Sequence, residues 1–169
     1  MSMSLYPVTV PVFTKTLANL KAVLAKAKAH ALEHKIEEAA LVDARLYPDM
    51  FPLSRQVQIA TDIARGCAAR LAGLEPPPYE DKEQTFDDLS ARVTRTIEYM
   101  KALDSAQFEG GEAREITRPV RGEPHKFTGI NYLQQFAMPN VFFHTATAYG
   151  ILRHNGVALG KADYLGTLD

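Results

Sequence analysis

The feature that most constrains the fold is a repeated spacing of apolar residues. In four separate stretches of the chain, apolar side chains recur at intervals of three and four residues. That spacing places them on one face of an α-helix, and such a face has to be buried against a partner. The four stretches therefore predict four amphipathic helices around one core, which is an all-α four-helix bundle.

Local signals indicate where these helices begin and end. Pro52 suits the first turn of a helix, Gly73 a left-handed C-terminal cap, and Thr85 an N-cap with acids in the following turn. Asn155 begins a stop signal, and Pro139 inside the last helix predicts a kink. The predicted ranges are 10–34, 53–71, 85–103 and 129–154.

The connections between these helices are also readable. Residues 37–50 are a linker with room for one helical turn, and the three prolines of EPPPYEDKEQ predict an extended crossing within one domain. The segment REITRPVRGEPHKFTG predicts a small β-hairpin before the last long helix, with an irregular loop as the alternative. Tyr164 and Leu165 are expected to hold the tail against the bundle. Residues 1–169 then form a single domain.

Composition excludes several classes of protein. Nineteen basic and 20 acidic residues leave a net charge of −1, so we expect no nucleic-acid partner. Cys67 is the single cysteine, which excludes an internal disulfide framework and a cysteine-rich zinc site. The sequence shows neither an apolar run of ~18 residues nor a signal peptide, so we expect a cytoplasmic protein that does not span a membrane.

Three polar residues fall on faces that the pattern predicts to be internal. His144 lies in the middle of the inner face of the fourth helix, and Asn140 precedes it by one turn. Gln56 lies within the inward stripe of the second helix, whereas Gln58 is expected to point away from it. Because burial without partners costs about 1–3 kcal/mol per group, these side chains either satisfy one another or line a ligand pocket.

The chain resembles the DinB/YfiT-like superfamily of helical bundles, and more closely a bacterial branch of uncharacterised members. The resemblance rests on ARLYPDMFPLSRQVQIATDIARGCAARLAG, on TFDDL and on NVFFHTATAYGILRHNGVALGKADYLG. Many superfamily members bind a divalent metal through one histidine of the second helix and an HxxxH pair of the fourth. His144 matches the second histidine of that pair, but Asn140 and Gln56 stand at the other two positions. The resemblance therefore implies no tightly bound zinc or nickel, with a weak site at His144 as the alternative.

Other histidines and charged residues have structural explanations. His30 and His34 are four residues apart near a helix C-terminus, without the zinc-protease pattern, so the helix end explains them better than a metal does. Arg45, Tyr47 and Asp49 are expected to tie a loop to helix ends rather than to bind an anion.

Two functional hypotheses follow. The first is a non-enzymatic DinB-like bundle with a degenerate centre of His144, Asn140 and Gln56, which binds a small ligand or has a structural role. The alternative is a DinB-like enzyme, either metal-dependent or using His144 as a general acid–base in a transferase or hydrolase. No catalytic residue is identified by the sequence. In either case we expect a homodimer, because alanine-rich helix exteriors permit close contact.

Overall fold

The four long helices are those that the apolar spacing predicts. The computed structural model describes residues 4–167. The helices are α1 (Tyr6–His34), α2 (Glu38–Val42), α3 (Leu53–Leu71), α4 (Phe86–Lys101), α5 (Gly129–Asn131), α6 (Met138–His154) and α7 (Lys161–Leu165). The bundle is formed by α1 packed against α4, α3 against both α4 and α6, and α1 against α6. Its fully buried aromatic side chains are those of Tyr132, Phe13, Phe86 and Phe108.

Helix α1 begins at Tyr6, four residues before the predicted start. Pro7 occupies the first turn, where its missing N–H costs nothing. The hydroxyl of Ser4 accepts a hydrogen bond from the Tyr6 N–H at 3.3 Å. The helix therefore has one more turn at its N-terminus than the apolar spacing predicts.

The last long helix contains a wide turn instead of a simple kink at its proline. Residues Tyr132–Ala137 form a π-helical turn that joins α5 to α6, and Pro139 follows it directly. Proline removes one N–H donor and its ring crowds the preceding turn. The wider π turn relieves that crowding, so the irregularity lies one turn before Pro139.

The predicted β-hairpin is confirmed. Strand β1 (Glu115–Val120) pairs antiparallel with β2 (Glu123–Thr128). The two connecting residues, Arg121 and Gly122, have φ values of 53° and 89°. Two positive φ values are those of a type I′ turn, whose twist matches that of the strands. The Thr128 hydroxyl then caps α5, so the hairpin leads directly into the last long helix.

The proline-rich crossing is fastened to the bundle by Arg92, a buried residue of α4. Its guanidinium donates to the Thr61 hydroxyl at 2.8 Å, to Asp62 at 2.7 Å and to Glu83 at 3.0 Å. Thr61 and Asp62 belong to α3, whereas Glu83 belongs to the crossing. One cation therefore joins two helices and the crossing segment.

Gln58, which the pattern places off the inward stripe of α3, also binds this crossing. Its side chain is buried, and its amide nitrogen donates to Glu83 Oε2 at 2.9 Å. Nearby, the Tyr79 ring lies between the guanidinium groups of Arg65 and Arg95, each 3.6 Å from the ring centroid. The extended segment thus covers a face of α3 that the helical pattern alone assigns to solvent.

The tail folds back as α7 along α1. The Asn19 amide donates to the carbonyl of Tyr164 at 3.1 Å, and Lys26 pairs with Asp163 at 2.7 Å. Tyr164 thus takes part in holding the tail, and Leu165 beside it is 41% exposed. Across residues 4–167, no helix has the length and hydropathy of a membrane span.

Candidate functional site

Gln56 and His144 meet between α3 and α6. The Nδ1 atom of His144 lies 2.7 Å from Oε1 of Gln56, although 88 positions separate the two residues in the chain. Gln56 is 1% exposed and His144 is 9% exposed. The structure therefore joins two of the three polar side chains that the sequence placed inside the bundle.

The surrounding hydrogen bonds fix the tautomer of His144. The Gln56 amide nitrogen donates to the backbone carbonyl of Phe51 at 3.0 Å. Because that carbonyl only accepts, the carboxamide has its nitrogen towards Phe51 and its oxygen towards the imidazole. The Gln56 oxygen can likewise only accept, so the Nδ1 atom of His144 is the donor and carries the proton. Nε2 of His144 then has an unprotonated lone pair, and it makes no hydrogen bond within residues 4–167.

His144 is held neutral by its surroundings. Burial, together with a smaller effect of the positive charge of Arg55, lowers the pKa of the imidazole from 6.5 to about 4. A neutral imidazole with its proton on Nδ1 offers Nε2 as a hydrogen-bond acceptor. The arrangement can therefore accept a hydrogen bond from a bound molecule.

Asn140 is not hydrogen-bonded to the other two. Its amide nitrogen donates to the carbonyl of Phe136, one turn earlier in the same helix, at 2.6 Å. Because the Phe136 carbonyl can only accept, the Asn140 nitrogen must face it. The Asn140 side-chain oxygen is then an acceptor on the face of α6 that carries His144. Asn140 is only partly buried.

One exposed aromatic ring contacts the buried imidazole, and a second belongs to the residue whose backbone carbonyl binds Gln56. Phe51 and Phe143 are 54% and 56% exposed. The ring of Phe143 contacts that of His144 edge to face, with centroids 5.2 Å apart. The sequence analysis missed both rings because neither falls on a predicted inner face. The available signal was Phe143, a large aromatic residue that directly precedes His144 in the chain.

The donor set does not fit a resident zinc or nickel ion. Within the part of the chain that the structure describes, no three His, Cys, Asp or Glu side chains cluster closely enough to bind one ion. At the centre implied by the resemblance, the Gln56 oxygen and the His144 Nδ1 are bonded to each other, and the Asn140 nitrogen is bonded to Phe136. Carboxamides are in any case weak ligands for these metals.

The remaining candidates lie elsewhere. Nδ1 of His34 donates to the backbone carbonyl of His30 at 3.0 Å. The two histidine rings lie 4.2 Å apart on the wall of a cleft near Gly156. Arg45 donates to the Met50 carbonyl at 3.0 Å, which supports the loop-tying role expected for it. Cys67 is fully buried, and burial raises the pKa of its thiol.

Comparison with known structures defines the class of protein. The chain is similar to a crystal structure described as a DinB family member protein from Shewanella denitrificans, with 42% sequence identity and a TM-score of 0.91. The similarity covers 97% of this chain and 93% of that one. It confirms the DinB-like bundle that the sequence segments indicated.

The family model gives the particular branch. The chain belongs to the family described as a domain of unknown function, DUF1993, whose model matches residues 5–165. No curated protein matches this sequence. The family relation therefore gives the fold, and the function has to be inferred from the residues of the site.

Proposed function

We propose that this protein is a non-enzymatic DinB-like bundle that binds a small molecule beside His144. The observation that carries the proposal is the bond between Gln56 Oε1 and His144 Nδ1, which turns the lone pair of Nε2 away from Gln56. A buried imidazole fixed in one tautomer is a preorganised acceptor for a ligand O–H or N–H group. The ring of Phe143, which contacts that of His144 and is 56% exposed, supplies apolar surface for the body of such a ligand.

The acidity of His144 supports binding over acid–base catalysis. A general acid or base works best when its pKa lies near the working pH. Burial places the pKa of His144 at about 4, so at neutral pH the group is a weak base. The enzymatic alternative, with His144 as the base of a transferase or hydrolase, would need a bound substrate that raises this pKa.

The proposal is tested with para-cresol, which combines a hydroxyl donor with an aromatic body. We expect para-cresol to shift the Nε2 resonance of His144 in ¹⁵N NMR spectra. Para-methylanisole has a similar body without the hydroxyl proton and is expected to leave that resonance in place. A His144→Gln variant should lose the binding of para-cresol. Equal shifts with both compounds, or no shift with either, would overturn the proposal.

We also propose that the centre works without a transition metal. The donor set described above supports this proposal. Addition of zinc or nickel should leave the melting temperature of the purified protein unchanged. Stoichiometric metal in the purified protein that is lost in His144→Ala would contradict the proposal and favour the metal-dependent enzyme.

We also propose that the protein is a homodimer and that it is located in the cytoplasm. Leu32 at 82% and Tyr47 at 66% exposure are among the apolar side chains that one protomer leaves in contact with solvent, and a partner subunit would cover such groups. Light scattering at micromolar concentration should give twice the mass of one chain. A monomer under those conditions would contradict the proposed dimer.

The single buried thiol is compatible with a reducing compartment such as the cytoplasm. Expression of a fluorescent fusion tests the location.

A further inference from the structure

A cavity lies between α1, α6 and α7, lined by residues other than Gln56, Asn140 and His144. Its volume is about 480 Å³, which is within the range of small-molecule sites. Val12, Phe142 and Leu165 form apolar parts of its wall, and the last two are 38% and 41% exposed. Phe142 is next to Phe143 in the chain, but successive helical residues point about 100° apart. This cavity is therefore separate from the surface beside His144.

The polar groups of the cavity wall are already bonded within the protein. The Thr16 hydroxyl donates to the Val12 carbonyl at 2.9 Å, and the Asn19 amide donates to the Tyr164 carbonyl at 3.1 Å. The Tyr164 hydroxyl lies 3.5 Å from the Phe142 carbonyl. The wall therefore presents mainly hydrocarbon to an occupant, which favours an apolar body.

One charge distinguishes this wall from a plain apolar surface. Lys15 is exposed at the edge of the cavity, and it is the single charged residue among those that line the cavity within residues 4–167. An ammonium group beside a hydrocarbon wall complements an anion with an apolar tail. We propose that this cleft binds an apolar carboxylate, with Lys15 facing the carboxylate and the apolar wall covering the tail.

The cleft is held open before any ligand binds. Helix α7 is fastened to α1 by the pair of Lys26 with Asp163 and by the bond from Asn19 to Tyr164. Its first turn is closed by Asp163, whose carboxylate accepts from the Gly160 N–H at 2.8 Å. A wall fixed in this way loses little freedom on binding, which favours affinity for a small ligand.

Decanoate is the probe for this proposal, and decanol is its uncharged counterpart. Titration calorimetry should detect decanoate binding, and amide NMR shifts should centre on residues 12–19, 142 and 164–165. Lys15→Glu should weaken decanoate binding about tenfold, as expected when a nearby charge is reversed, and should leave decanol binding unchanged.

Lys21→Glu is the matched control, because Lys21 is also an exposed lysine of α1 but does not line the cleft. It should leave decanoate binding unchanged, as should His144→Gln, which separates this proposal from the one on His144. Equal weakening by the two lysine variants, decanol binding as tight as decanoate binding, or no decanoate binding at millimolar concentration would each overturn the proposal.

Discussion

Gln56 accepts a hydrogen bond from the Nδ1 of His144 across the interface of α3 and α6, at 2.7 Å. Within the described residues, Gln56 and His144 are the two members of the predicted polar cluster that are buried, and this bond joins them. It also decides the chemistry of the imidazole, because it assigns the proton to Nδ1 and the lone pair to Nε2. The proposed role of Nε2 as a hydrogen-bond acceptor depends on that assignment.

His144 should remain neutral well below the pH at which an ordinary histidine titrates. Its pKa of about 4 in the folded protein lies below the value of 6.5 expected for the unfolded chain. The unfolded chain therefore takes up a proton first as the pH falls. The stabilising contribution of the neutral ring is complete above pH 6.5 and is lost between pH 6.5 and 4, with a total of about 3 kcal/mol.

Two measurements check this behaviour. NMR titration should give a midpoint near the lowered pKa for His144 and not near 6.5. Denaturant unfolding at several pH values should show that His144→Gln removes part of the acid sensitivity of the wild-type protein. A His144 midpoint at the ordinary histidine value would contradict the burial that the structure gives this ring.

Replacement of Arg92 should strongly destabilise the fold. Its side chain is 1% exposed and contacts carboxylates from α3 and from the proline-rich crossing. Arg92→Met leaves Glu83, whose side chain is 10% exposed, without its cation, so we expect a loss of about 3 kcal/mol in the free energy of unfolding. Lys126→Met, which removes an exposed pair with Glu115, should leave that free energy unchanged in the same denaturant titration. Equal effects of the two variants would contradict the role assigned to Arg92.

Gly129 should not tolerate a side chain, because a β-carbon at this position would lie 1.8 Å from the backbone oxygen of Gly111. Backbone is less able to move aside than a flexible side chain. We therefore expect Gly129→Ala to lower the free energy of unfolding by about 3 kcal/mol, measured by chemical denaturation. Gly160→Ala is the control, since no atom lies within 4 Å of a β-carbon there. A well-folded, fully stable Gly129→Ala protein would show that the close approach is not present.

Cys67 should resist thiol reagents in the native state. The residue is fully buried, and burial raises the pKa of the thiol, so the reactive thiolate is scarce. A colorimetric disulfide reagent should react with less than one thiol per chain in buffer and with one thiol per chain in denaturant. Rapid reaction of the native protein would be inconsistent with a buried Cys67.

The sequence predicted the helices well because their signals are local. The start of α4 at Thr85 was predicted from one hydroxyl followed by acids, and the structure shows the reciprocal bonds of Thr85 with Asp88. The hairpin was predicted from strand-favouring residues around a turn. The burial of Gln58 was not predicted, because its partner, Glu83, lies on a segment whose path no helical pattern specifies.

The sequence by itself determined the bundle, the hairpin, and the inward faces that carry Gln56 and His144, since periodicity and turn chemistry depend on neighbours in the chain. Only the tertiary structure decided that Asn140 would bond its own helix while Gln56 would bond His144. It also decided that the proline-rich segment would bury Arg92, and that a cleft would form beside Lys15. These outcomes depend on the distances between elements far apart in the chain, and spacing within one helix carries no information about them.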